Sequence, residues 1–215
     1  MILEKLIDMC RKEGWAAGSG SITQMRREAQ FLGLTEIPVR RGDPAVTTLR
    51  PLSRDDAQAN SLSAKYGKGD QPLHTDGAHL VKPPDVIVLA CERTSGTPTR
   101  LWKLSHIFST PVPLDNMRHG VFLVENGKDS FFSTAYSESR FRYDPGCMSP
   151  CDVRARETVR YFEAAIESAI EHSWDEPNRV LVIDNQKALH ARASAIDDPR
   201  REVQRISFYL KAGAS

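Results

Sequence analysis

The stretch that constrains this chain most is Gln71-Pro72-Leu73-His74-Thr75-Asp76-Gly77, where an imidazole and a carboxylate stand two residues apart. In an extended backbone, residues i and i+2 point to one face, so His74 and Asp76 can grip one small ion together. Two ligands do not complete a site. The best third is His190, 116 residues further on, in Leu181-Val182-Ile183-Asp184-Asn185-Gln186-Lys187-Ala188-Leu189-His190. Two histidines and one carboxylate on one facial side leave three positions of an octahedron open, which suits ferrous iron in oxygen-activating enzymes. An HxD pair by itself more often marks a turn or a surface hydrogen bond, so the assignment needs context.

The context is a strand-like run, Pro199-Arg200-Arg201-Glu202-Val203-Gln204-Arg205-Ile206-Ser207-Phe208-Tyr209-Leu210. By the period of two, Arg201, Val203, Arg205 and Ser207 share a face. Two guanidinium groups turned inward are costly without an anion, and a dicarboxylate cosubstrate would supply one.

With these residues in view, the chain resembles the iron(II) and 2-oxoglutarate dependent dioxygenases, in the taurine dioxygenase and clavaminate synthase-like branch. The matching residues are His74-Thr75-Asp76, Pro83-Pro84 ahead of the apolar run Val86 to Cys91, Gly96-Thr97-Pro98-Thr99, Asp184-Asn185, His190, Arg201 and Arg205. The resemblance runs from about Pro72 to Leu210, with a weak middle. It implies a mainly β fold with flanking helices, a double-stranded β-helix or jelly roll. One domain would fill residues 1–215, with a wall of helices and strands over 1–70 and the metal-bearing core over 71–215. It also implies Fe(II) held by His74, Asp76 and His190, with 2-oxoglutarate and dioxygen as cosubstrates. Arg201, Arg205 and Thr99, with Thr97 in reserve, would hold the carboxylates of 2-oxoglutarate. The implied reaction is hydroxylation of an unactivated C–H bond in a small molecule, an amino acid or a biosynthetic intermediate, with release of succinate and CO2. Related halogenases carry a small residue in place of the carboxylate ligand, so Asp76 argues against halogenation. The segment between Ser105 and Ser149, which lines the substrate entrance in relatives, is short here.

Composition narrows the partners. Lys and Arg number 29 against 28 Asp and Glu, a net charge of +1, so no global field recruits nucleic acid or an anionic membrane. No apolar run approaches the ~20 residues that span a bilayer, and the N-terminus lacks a signal-peptide core, so a cytoplasmic protein is expected. Cys10, Cys91, Cys147 and Cys151 fit reduced thiols, and the Cys147 to Cys151 spacing is not that of a zinc ribbon.

Along the chain, Leu3, Leu6, Ile7 and Cys10 predict a helix over 2–13 ended by Gly14, and a second helix runs from Ile22 to Phe31 with Gly33 after it. A strand is expected over Ala45 to Arg50, and a polar loop from Asp55 to Gln71 offers Asp70 and Gln71 as substrate contacts. Val86 to Cys91 reads as a buried strand. Thr94 to Thr99 reads as a tight loop, and Leu104 to Phe108 as a short helix containing His106. Asn126-Gly127 marks a hairpin between Val121–Val124 and Ser130–Ser133. In Arg140-Phe141-Arg142-Tyr143 the arginines face one way and the rings the other, which makes Arg142 a candidate anchor for an anionic substrate. Ser149 is the expected cap of a helix with proline at its first position, running to about His172 at the dipole's negative end. Arg179 to Ile183 then forms a buried strand. His79 and His119 have no assigned role.

Other readings of the triad are a zinc hydrolase, a non-catalytic jelly-roll binding protein, and a peptide or protein hydroxylase of the same superfamily.

Overall fold

The computed structural model describes residues 1–39, 42–59, 61–106, 112–127 and 129–211. In chain order these form α1 (Ile2–Glu13), β1 (Trp15–Ser19), α2 (Ile22–Leu32), β2 (Thr35–Ile37), β3 (Thr47–Leu49), α3 (Leu62–Tyr66), β4 (Val86–Cys91) and β5 (Ser95–Lys103). A 3-10 turn (Leu104–His106), α4 (Val112–His119), β6 (Phe122–Asn126), β7 (Asp129–Ser133), β8 (Tyr136–Ser137), β9 (Arg140–Phe141), β10 (Met148–Pro150) and α5 (Val153–Ala165) follow. The chain ends with a second 3-10 turn (Ile166–Ser168), β11 (Ile170–Trp174), β12 (Arg179–Asp184), β13 (Ala188–Arg192) and β14 (Val203–Tyr209).

The architecture is mainly β and antiparallel throughout, with helices outside. The main sheet runs β1-β12-β4-β14-β2, with β3 also paired to β14, and the smaller one runs β11-β5-β13. A side sheet β10-β6-β7 and a ribbon β8-β9 complete it.

Alternation along the strands decides the layers. In β4, Val86, Val88 and Ala90 pack with Ile206 and Phe208 of β14 under α1 and α2, which contribute Leu3, Leu6, Cys10, Met25 and Ala29. The opposite face gives Ile87, Leu89, Cys91, Leu181, Ile183 and Val203, and these meet Leu101, Trp174 and Ala188 of the smaller sheet. That inter-sheet layer is where Arg201, Arg205 and Thr99 also point, by the period of two. On the far side of the smaller sheet, Trp102, Leu189 and Ala191 pack against Phe162 and Ala155 of α5.

α1 and α2 fall at the expected bounds. Gly14 takes φ +94° and Gly33 φ +66°, which is the left-handed backbone that stops each helix, and Ser21 Oγ accepts from Gln24 N at 3.2 Å. The hairpin forms at Gly127, with φ +76°.

Three expectations are corrected. Thr94 to Thr99 is not a loop: β5 begins at Ser95, because Thr97, Thr99 and Leu101 bury one face between the sheets. Pro98, which cannot donate to a ladder, sits where the pairing with β11 shifts register between His172 and Trp174. The helix after Pro150 starts later and ends earlier than its apolar stripe predicts. Its cap is Asp152, whose carboxylate accepts from Ala155 N at 2.7 Å and Val121 N at 3.1 Å, while Ser149 pairs with Leu123 in β10. After Ala165 the chain passes into β11, and His172 lies in that strand opposite Thr99 instead of at a helix end. Pairing with β5 outweighs local helical periodicity there. Of the short helix expected over Leu104 to Phe108, Leu104–His106 is a 3-10 turn and residues 107 and 108 lie outside the described residues.

All four cysteines are unbonded, and no helix among the described residues is long and apolar enough to cross a membrane.

Candidate metal centre

His74 and His190 face each other as a hydrogen-bonded antiparallel pair. His74 N donates to His190 O, and His190 N to His74 O, each at 2.9 Å. This pairing puts both imidazoles on one side, with ring centroids 4.3 Å apart. His74 Nδ1 lies 3.0 Å from the carbonyl oxygen of Pro72, which places the proton on Nδ1 and leaves the Nε2 lone pair for the site. His74 Nε2 and His190 Nε2 lie 3.7 Å and 3.8 Å from Asp76 Oδ1. One ligand atom from each of the three residues falls within 4.8 Å of the others, and all three side chains are buried.

The chain turns sharply after Asp76 at Gly77, with φ +69°, where an added Cβ would stand 2.8 Å from Pro84 Cδ. Asn185 clamps this bend. Its Oδ1 accepts from Asp76 N at 2.9 Å, and its Nδ2 donates to Asp76 O at 3.0 Å and Pro84 O at 2.9 Å. The Asp184-Asn185 dipeptide thus serves the centre through Asn185, which fixes the backbone of a ligand; Asp184 pairs with Arg11 at 3.2 Å.

Charge favours a cation here. Burial alone would raise the Asp76 carboxyl, but Arg205, then His190 and His74, overcome it and hold the group below the usual carboxylate range. Burial, and then His74, push His190 down to about 3, so its ring is a neutral lone-pair donor at neutral pH. Two imidazole nitrogens and an ionised carboxylate are the donor set that ferrous iron takes.

Arg205 Nη1 lies 3.0 Å from both oxygens of Asp76. Arg201 is 5% exposed, its Nε is buried with no hydrogen-bond partner, and it forms no ion pair among the described residues. Burial, followed by the charge of Arg192, lowers it to about 10. Thr99 Oγ1 accepts from Trp174 Nε1 at 3.1 Å, so its own hydrogen remains to donate. Thr97 is committed instead, donating to Ser194 O at 3.3 Å.

Sequence reasoning missed Arg192. It is two residues beyond His190 on β13 and pairs in register with Thr99, so the period of two that places His190 inward places it there too. Its Nη2 donates to Gly67 O at 2.8 Å and Gly69 O at 2.7 Å, tying down the loop that leads into the metal motif.

The substrate candidates lie elsewhere. Arg142 spends its guanidinium on three backbone carbonyls, Ala78 and Leu80 at 2.6 Å and Val81 at 2.8 Å, and so braces the loop after Asp76. Asp70 pairs with Arg100 at 2.8 Å, and Gln71 Nε2 donates to Ser63 Oγ at 3.3 Å. Asp70 and Gln71 line a cavity that includes none of the triad. His79 Nε2 lies 3.0 Å from Val39 O, and His119 pairs with Asp115 at 3.5 Å on the surface.

No family model matches the chain, and neither does any curated protein by sequence. Solved structures do. A crystal structure of asparagine oxygenase in complex with Fe(II), 3-hydroxyasparagine and succinate matches at a TM-score of 0.68 and 15% identity, over 97% of this chain and 79% of that one. The non-haem iron oxygenase OrfP, in complex with Fe, succinate and (3S)-hydroxy-L-Arg, matches at 0.69 and 17%, over 98% and 80%. PvcB from Pseudomonas aeruginosa matches at 0.67 and 17%, over 95% and 79%. What this chain shares with these oxygenases, along nearly its whole length, is their fold.

Proposed function

We propose that the protein is an Fe(II)- and 2-oxoglutarate-dependent oxygenase that hydroxylates a small molecule, an amino acid or a close derivative. The observation that carries the reading is the buried convergence of His74, Asp76 and His190, together with a buried Arg201 whose Nε has no hydrogen-bond partner among the described residues. Similar solved folds containing iron, succinate and hydroxylated amino acids support it. In this reading the main and smaller sheets are the two faces of a double-stranded β-helix within a single domain.

His74, Asp76 and His190 would hold iron on one face, and the bound metal and 2-oxoglutarate would supply the oxygen-activating chemistry that ends in succinate and CO2. Arg201 and Thr99 would take the distal carboxylate of the cosubstrate. A planar fork with an unsatisfied Nε and a hydroxyl with a free hydrogen match that group. Arg205, fixed on Asp76, is placed for the carboxylate nearer the metal. Trp174, Leu101 and Val203 belong to the buried apolar layer on this side of the sheets, and such a lining would strengthen each of these contacts. A zinc hydrolase on the same triad would leave the buried Arg201 guanidinium without a purpose.

The test is succinate formation from 2-oxoglutarate, coupled to oxygen uptake, across a panel of amino acids with Fe(II) present. Turnover that survives Asp76→Ala would refute the assignment.

A further inference from the structure

The smaller sheet has a second hollow on its outer side. A cavity of about 450 Å3 lies between α5 and the segment leading to His74, floored by Leu73, Phe162 and the ring of Tyr143. Leu73 and His74 point to opposite faces, so this hollow and the metal centre lie on opposite sides of one stretch of chain. Tyr143 is 1% exposed and lines the cavity, and its hydroxyl makes no hydrogen bond among the described residues. A phenol hydroxyl without a protein partner in a cavity is open to a ligand that donates to it.

The walls define the ligand's charge. Asp70, Glu163 and Glu167 face the cavity against a single cation, Arg100, which is already bound to Asp70 and Glu171 at 2.8 Å and 3.1 Å. Glu163 and Glu167 form no ion pair among the described residues. Tyr143 and Phe162 both line the cavity, and their rings pack together with centroids 4.5 Å apart. Burial, then Glu163, push the Tyr143 phenol up, so it stays neutral and its oxygen can accept.

We propose that this cavity is a second binding site, for a small organic cation: a primary amine on a short apolar body, with its ammonium held by Glu163 and the Tyr143 hydroxyl and its body on Leu73 and Phe162. Carboxylates at the mouth and aromatic faces within attract such a cation together. The site needs no metal, so its failure would leave the oxygenase reading intact, and the reverse.

Phenethylamine, 2-phenylethanol and phenylacetate share one shape and differ in charge. Titrated by calorimetry into the metal-free full-length protein, the amine should bind with a dissociation constant on the order of a millimolar or below. The alcohol and the acid should bind at least ~10-fold more weakly. Glu163→Gln and Tyr143→Phe should each weaken the amine by ~5- to 10-fold, and His74→Ala should not. No saturation at ~20 mM amine, equal binding of the alcohol, or indifference to Glu163→Gln would overturn the proposal. Glu163 is exposed, so that substitution reports even if Tyr143→Phe does not fold.

Discussion

One nitrogen of Arg205, Nη1, sits 3.0 Å from both carboxylate oxygens of Asp76, so the residue in the metal-ligand position already has a fixed cation beside it. Arg205 and Asp76 are 15% and 5% exposed at the side chain. Removing the guanidinium from so buried a pair leaves an uncompensated charge.

Arg205→Leu should therefore destabilise the metal-free protein by about 3 kcal/mol. A divalent ion should restore part of that loss, because it replaces the missing positive charge. Thermal unfolding with and without Mn(II) checks this: the increment on adding metal should be larger in the variant than in the parent. An equal increment would show that Arg205 and the metal do not share Asp76.

Arg201 should behave in the opposite way. Its buried Nε has no hydrogen-bond partner among the described residues, so Arg201→Met should leave the free protein as stable as before or more so. The same change should raise the KM for 2-oxoglutarate by ~30-fold or more, about 2 kcal/mol. Thermal unfolding and steady-state kinetics at varied 2-oxoglutarate read the two effects separately, and an unchanged KM would remove Arg201 from the cosubstrate site.

Asn185 touches no ligand atom, but it holds Asp76 and Pro84 by three hydrogen bonds. Asn185→Ala should weaken metal binding by ~10- to 100-fold, as loss of a supporting partner does elsewhere. Competition with a fluorescent chelator measures this directly, and unaltered affinity would show that Gly77 and the strand pairing position Asp76 unaided.

His172 gives the chain an acid sensitivity remote from the metal. Burial, and then Arg179, lower it from 6.5 to about 4, with Asp175 acting weakly the other way, and its ring packs edge-on to Trp174 at 4.6 Å. The folded state thus binds the proton less readily than the unfolded chain. Stability is full above pH 6.5 and falls as pH drops from there towards 4. The slope limit of ~1.4 kcal/mol per pH unit shrinks because the ring is partly exposed, leaving on the order of 1 kcal/mol overall. His172→Gln should flatten that decline, as read by urea midpoints above and below this window. An unchanged slope would show that His172 titrates normally.

How much of this was legible depends on whether a pattern is local. The period of two that makes His74 and Asp76 neighbours, and turns Arg201 and Arg205 inward, needs no knowledge of partners. β4 and β12 were readable because strands buried on both faces are apolar throughout. β1, β2 and β11 were not. Trp15–Ser19 carries glycine and serine, and Ile170–Trp174 extends a helical stripe, so only pairing with β12 and β5 makes them strands. The bonds that Arg142 makes were hidden for a similar reason: its guanidinium donates to carbonyls about sixty residues earlier, which no local pattern records. Arg192 could have been found by applying to His190 the same i+2 step used for Asp76.

Because His74 and His190 exchange backbone hydrogen bonds directly, the two imidazoles are set in place by a ladder rung joining distant parts of the polypeptide. A cradle held by backbone pairing in this way would take up an ion at little cost in ordering entropy. It also means that a fragment ending before β13 lacks the third member of the triad, however intact its HxD motif.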